Sequence, residues 1–298
     1  MSPERTVCVE LPVRAPFDGT GLMAFFAARA LPGVENAGEN FYERAFAERG
    51  RAGTMRVELR RRGRSLFLSQ KMPLWANPDD LSARISRLFD LAADPRAISR
   101  VLSRDPLLAP LLVKQPGLRV PGAWDPFEVA VRAVLGQQIS VGGARTLAGR
   151  LVALCGKPLP KRLARPGLTH VFPAPRAVAD ADVARVGLPR ARAAALRAFA
   201  GAVADGSFLL AAPRGLEDFV ERLTALPGFG PWTAHVVALR AFGEGDAFPA
   251  SDLGVVRALG RAGVAKDRIA ARAERWSPYR AYATLHLWAS LADDTGGA

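Results

Sequence analysis

Hydrophobic positions alternate in the first hundred residues and then change to helical spacing. Residues 54–60 alternate strictly, with Met55, Val57 and Leu59 on one face, the pattern of a half-buried strand. Gly63 supplies a turn and apolar residues return over 65–68, which predicts a β-hairpin. Residues 7–11 read as a further strand. A helix is predicted over 22–29, and another over 80–91 with Leu81, Ile85, Leu88 and Phe89 on one face. The chain up to about residue 95 therefore reads as a small α+β domain.

From residue 96 to the end the spacing is helical. Pro126 opens a helix whose buried face is Ala130, Val131, Val134 and Leu135, and Gly136 ends it. Further helices are predicted over 140–155, 190–203, 216–226, 231–242, 253–260 and 278–291. Ser277 and Pro278 form a suitable N-cap and first-turn pair for the last of these. The proline-containing stretch 157–175 reads as a connecting loop.

Composition narrows the partners. The chain has 298 residues with 41 Lys plus Arg against 28 Asp plus Glu, a formal charge of +13 that favours polyanions. Biased codon usage in an Ala-, Arg- and Gly-rich chain accounts for the same excess, so charge alone leaves the partner open. The two cysteines, Cys8 and Cys155, form neither a disulfide framework nor a metal motif. His170, His235 and His286 occur singly, without ligand spacing, so no metal is expected on side chains. No apolar run is long enough for a bilayer, and residues 1–6 lack the start of a secretory signal. A cytoplasmic protein is expected.

The most informative segment is Leu226-Pro227-Gly228-Phe229-Gly230-Pro231-Trp232-Thr233-Ala234. It joins two predicted helices through two glycines that flank one apolar residue. Glycine permits positive φ and lets a phosphate approach the backbone. The second helix begins with unsatisfied N–H groups and a dipole that favours an anion. Phe229 is expected to point inward. An ordinary helical corner with a glycine cap would share these features. About one helix further on, Asp252 follows a short loop containing Pro249 and opens the next helix. A carboxylate there is either a helix cap or a group facing a cleft.

The order L-P-G-x-G-x-W-T-A, followed by a loop ending in Asp252, resembles the helix-hairpin-helix/Gly-Pro-Asp superfamily of DNA glycosylases. The helix from Asp125 to Val141, through Gly136-Gln137-Gln138-Ile139-Ser140, is similar to a characteristic helix of that superfamily. Phe17-Asp18-Gly19-Thr20 with the helix through Phe25 resembles the AlkA type, the bacterial 3-methyladenine DNA glycosylase II family. So does the segment from Arg275 to Trp288. The resemblance covers nearly the whole chain.

It implies a small N-terminal antiparallel-sheet domain, residues 1–95. A two-lobed all-α helix-hairpin-helix core with a cleft, residues 96–298, follows it. It also implies a monofunctional DNA glycosylase of base excision repair. Such an enzyme hydrolyses the N-glycosidic bond of flipped-out alkylated purines such as 3-methyladenine and 7-methylguanine. Asp252 would stabilise positive charge on the deoxyribose, as carboxylates do in glycosidases. Trp232, Trp288 and Phe25 would form an aromatic base pocket, and no general acid matches. Gln137, Gln138, Gly228, Phe229, Gly230 and Thr233 would carry the contact with double-stranded DNA. No cofactor is implied, although hairpin carbonyls in such motifs often hold a monovalent cation. A monomer is expected. Glycosylases that also act as lyases carry lysine where this chain has Trp232. Two positions depart from the pattern: Gln138 stands where a wedging leucine is found, and Val236 where a tyrosine is expected. The alternatives are a non-enzymatic DNA-binding protein, a glycosylase/lyase for other damaged bases, and a structural helical protein.

Overall fold

A computed structural model describes residues 6–62, 65–211 and 214–292. Residues 1–5 and the expected turn residue Gly63 lie outside the described residues. The chain begins with β1 (Thr6–Pro12) and α1 (Gly19–Arg29), followed by β2 (Glu35–Ala37), β3 (Phe41–Glu48), β4 (Arg51–Arg62) and β5 (Ser65–Pro73). Among the described residues these strands form one antiparallel sheet in the order β1-β5-β4-β3-β2. The hairpin is present, with β4 paired to β5. Met55, Val57 and Leu68 point into a core shared with Leu22, Met23 and Phe26 of α1. Leu81, Ile85 and Leu88 of α2 (Pro78–Leu88) complete that core. Asn77 caps α2, which stops short of the predicted residue 91 because Asp90 adopts φ +51 and leaves the helix.

β3 escaped the pattern reading. All five residues 42–46 are buried, including Glu43 and Arg44, so no apolar alternation marks it. The reason lies outside the strand. Arg44 pairs with Glu35 (3.3 Å) and with Glu128 (2.6 Å) of the helical core, while Arg132 pairs with the same two carboxylates at 2.9 and 3.1 Å. Burial alone would push Glu35 up, but Arg132 and Arg44 hold it down at about 2. This buried network fastens the sheet to the helices.

The helical part comprises α3 (Pro95–Leu102), α4 (Ala109–Lys114), α5 (Pro126–Leu135) and α6 (Val141–Cys155). After a two-residue pairing of β6 (Lys157–Pro158) with β7 (His170–Val171) come α7 (Pro175–Asp180), α8 (Arg190–Ala204) and α9 (Leu216–Thr224). Then follow α10 (Pro231–Val237), α11 (Leu253–Arg261), α12 (Ile269–Ala273) and α13 (Arg280–Ala292). The stretch read as a connecting loop, 157–175, is more than a linker. Leu159, Leu163, Leu168 and Val171 bury themselves against Ala45 of β3.

One capping expectation is corrected. Ser277–Pro278 is a cis peptide and α13 starts only at Arg280. The Ser277 hydroxyl donates to Asp246 instead of capping the helix. The helix predicted over 231–242 is also not uniform. After Val237 it widens into a π-helical turn, Ala238–Phe242. A π-turn shifts side chains off the register of an α-helix, and Arg240 sits within it.

Candidate active site

The helical hairpin consists of α9, the Gly-containing turn and α10. Gly228 adopts φ +84, and a Cβ there would lie 2.8 Å from the Ala195 Cβ, so glycine is required. Gly230 differs from the expectation of positive φ. Its φ is −95, and an added Cβ would meet nothing within 4 Å. The protein itself therefore does not demand glycine at 230; the free space faces outward.

Phe229 points inward as expected, 3% exposed, and its ring lies 4.6 Å from that of Phe199 on α8. No side chain caps α10, and its first intrahelical bond is Ala234 N–H to Gly230 O. The amides of Trp232 and Thr233 precede that bond, and Pro231 has none. They are the donors a helix start leaves open.

Gln137 and Thr233 serve the hairpin from within. The Gln137 amide donates to Gly228 O (3.0 Å) and to the Thr233 hydroxyl (3.1 Å). Thr233 is buried, and its side chain props the turn. The next residue, Gln138, is exposed and holds φ +62, an uncommon conformation for a residue with a side chain. It projects from the tip between α5 and α6.

Asp252 combines both meanings weighed for it. It is the N-cap of α11, with Oδ1 accepting from Gly254 N (2.8 Å) and Val255 N (3.1 Å). The same Oδ1 accepts from Trp288 Nε1 (2.8 Å), and Oδ2 accepts from Trp232 Nε1 (2.9 Å). Four N–H donors thus converge on one half-buried carboxylate. The preceding loop is clamped from two sides. Arg280 grips Asp246 with Nε and Nη2, each at 2.8 Å, and Phe248 N donates to His235 Nδ1 at 3.2 Å. Burial and the nearby Arg280 lower the His235 pKa, which favours the neutral ring, and the Phe248 bond marks Nδ1 as its acceptor nitrogen.

Trp232, Trp288, Phe25 and Asp252 line one cavity of about 330 Å³ between α1, α5, α6, α10 and α13. Sequence reasoning named these four, and the fold brings them to one cavity although they are scattered along the chain. It missed others on the same wall. Arg29 and Arg240 both pack on Phe25, with guanidinium carbons 3.8 and 5.2 Å from the ring centre. Ile139, 42% exposed, lines the cavity, and Gln138 does not. Val236 lines it at the place where a tyrosine was expected. Arg29 could have been found, since it lies one helical turn beyond Phe25 on α1. Arg240 could not, because its placement depends on the π-turn.

Residues 8–125 match the family model of the AlkA N-terminal domain, and residues 131–280 match that of the HhH-GPD superfamily base excision DNA repair protein. The chain is 33% identical over 279 residues to a DNA-3-methyladenine glycosylase 2 of Escherichia coli, covering 92% of this chain and 94% of that one. It is 41% identical over 288 residues to a probable bifunctional transcriptional activator/DNA repair enzyme AlkA of Mycobacterium tuberculosis. That match takes in 96% of this chain but only 57% of the longer relative. In fold it resembles a 3-methyladenine DNA glycosylase from Archaeoglobus fulgidus, with a TM-score of 0.79, 24% identity and coverage of 94% and 97%. Among the described residues no helix is long and apolar enough to cross a membrane.

Proposed function

The chain belongs to the HhH-GPD superfamily of base excision DNA repair proteins, and from that premise we propose that it is a monofunctional DNA glycosylase for alkylated purines. It hydrolyses the N-glycosidic bond of a base such as 3-methyladenine or 7-methylguanine after the nucleotide has left the duplex. The observation that carries the reading is Asp252, held by two indole N–H groups on the wall of an aromatic-lined cavity.

An ionised carboxylate beside C1′ stabilises the positive charge that builds on the sugar as the base departs. The four donors on Asp252 fix its direction. Trp232, Trp288 and Phe25 offer flat faces to the flipped base. The backbone of Gly228, Gly230, Trp232 and Thr233 takes a phosphate of the same strand, with the open space at Gly230 leaving room for it. Gln138 projects from its loop to fill the gap left in the stack. Trp232 has no amine, so no Schiff base forms with the sugar and the strand stays intact. The protein acts as a monomer on double-stranded DNA in the bacterial cytoplasm.

The test is incubation with methylated duplex DNA. Release of free methylated purine, unbroken strands and no adduct after borohydride reduction are expected. Strand cleavage, or a trapped adduct, would replace the hydrolytic reading with a lyase. DNA binding without base release would leave a binding protein.

A further inference from the structure

The wall of the base cavity carries an uncommitted cation. Arg29 lines it, and among the described residues its guanidinium makes no hydrogen bond and no ion pair; its contact is with the Phe25 ring. The neighbouring arginines are engaged. Arg132 is tied to Glu35 and Glu128, Arg145 to the Ala30 carbonyl, and Arg240 to the carbonyls of Pro121 and Gly122. Burial and the positive charge of Arg132 lower Arg29 to about 10, and burial with Arg132 and Arg29 lowers Arg240 to about 9. Both remain charged at neutral pH. The Arg29 donors open onto the cavity and are free to meet an acceptor that enters it.

We infer that Arg29 is a specificity-determining residue that donates to an acceptor on the edge of the flipped base and stabilises a neutral keto purine as it leaves. This rests on the glycosylase reading above. The chemistry separates two kinds of substrate. In hydrolysis the C1′–N9 bond breaks with its electron pair passing to the purine, and water adds at C1′. A cationic 7-methylguanine leaves as a neutral molecule, and the proton lost by water goes to solvent. A neutral keto purine such as hypoxanthine leaves carrying negative charge, spread onto its carbonyl oxygen and ring nitrogens, until it takes up the proton that the water lost. A cation at the base edge lowers the barrier for the second kind. For the first kind it supplies a hydrogen bond but also repulsion.

Single-turnover excision from duplexes holding one hypoxanthine or one 7-methylguanine tests this, with wild type, Arg29→Met and Arg29→Lys. Methionine keeps the apolar stem on Phe25 and removes the charge. Arg29→Met is expected to lower the hypoxanthine rate at least about tenfold more than the 7-methylguanine rate, and Arg29→Lys is expected to recover part of that difference. Equal losses on both lesions would overturn the inference, as would a larger loss on 7-methylguanine. Wild-type release of 7-methylguanine without hypoxanthine would overturn it while leaving the glycosylase reading intact. Release of neither would overturn both.

Discussion

Replacing Asp252 by Asn separates its two duties. Asparagine caps a helix about as well as aspartate. Its oxygen can take the Oδ1 position and keep the bonds from Gly254 N, Val255 N and Trp288 Nε1. Its NH2 group then faces Trp232 Nε1, where Oδ2 accepted at 2.9 Å. One charge-assisted bond is lost and one half-buried indole N–H goes unpaired, which costs about 1–3 kcal/mol. Melting should fall by a few degrees and the fold should survive.

Activity should fall much further. A full negative charge about 4 Å from a developing positive one is worth about 4 kcal/mol at an effective dielectric constant near 20, or about three orders of magnitude in rate. Single-turnover excision of 7-methylguanine, with melting and DNA affinity measured on the same samples, reads all three quantities. A folded, DNA-binding Asp252→Asn protein that retains more than about a tenth of the rate would refute the catalytic role and leave Asp252 as a helix cap.

Two further predictions concern the frame around the site. Arg44→Met leaves Glu35 and Glu128 buried with Arg132 as their remaining ion-pair partner. It should cost about 3–5 kcal/mol in denaturant unfolding, and a loss under about 1 kcal/mol would show that the network contributes little. Asp90 accepts from Val120 N and from the Tyr282 hydroxyl, and burial raises its pKa from 3.8 to about 6. Because the folded value lies above the unfolded one, its contribution is fully present below about 3.8 and lost as pH rises through about 6, roughly 3 kcal/mol in all. Asp90→Asn, which keeps an acceptor and suits the φ of +51, should therefore be more stable than wild type at pH ~7.5, with the gap narrowing to roughly a third near pH ~4.5. The same stability difference at both pH values would exclude Asp90 as its source.

Several helices were legible from local chemistry, although α3, with its Asp94 cap and Pro95 at the first turn, was not predicted. Pro126 and Gly136 bound α5, apolar spacing marks α6 and α8, and the two-glycine turn before Pro231 announces the hairpin. The four residues Phe25, Trp232, Asp252 and Trp288, which share one cavity, were named through a resemblance carried by short motifs. Positions whose state depends on distant partners were not legible. β3 is buried with Arg44 inside because Glu35 and Glu128 meet it there, and no period in residues 41–48 reveals that. Ser277 looked like a helix cap until Asp246 claimed its hydroxyl. Arg240 enters the cavity only because a π-turn brings it against Phe25 of α1. Hydrophobic spacing, turns and caps act within a few residues, so the chain alone determined them. Burying a charge, or leaving one free to meet a ligand, depends on which groups the whole fold gathers around it, and only the tertiary structure decided that.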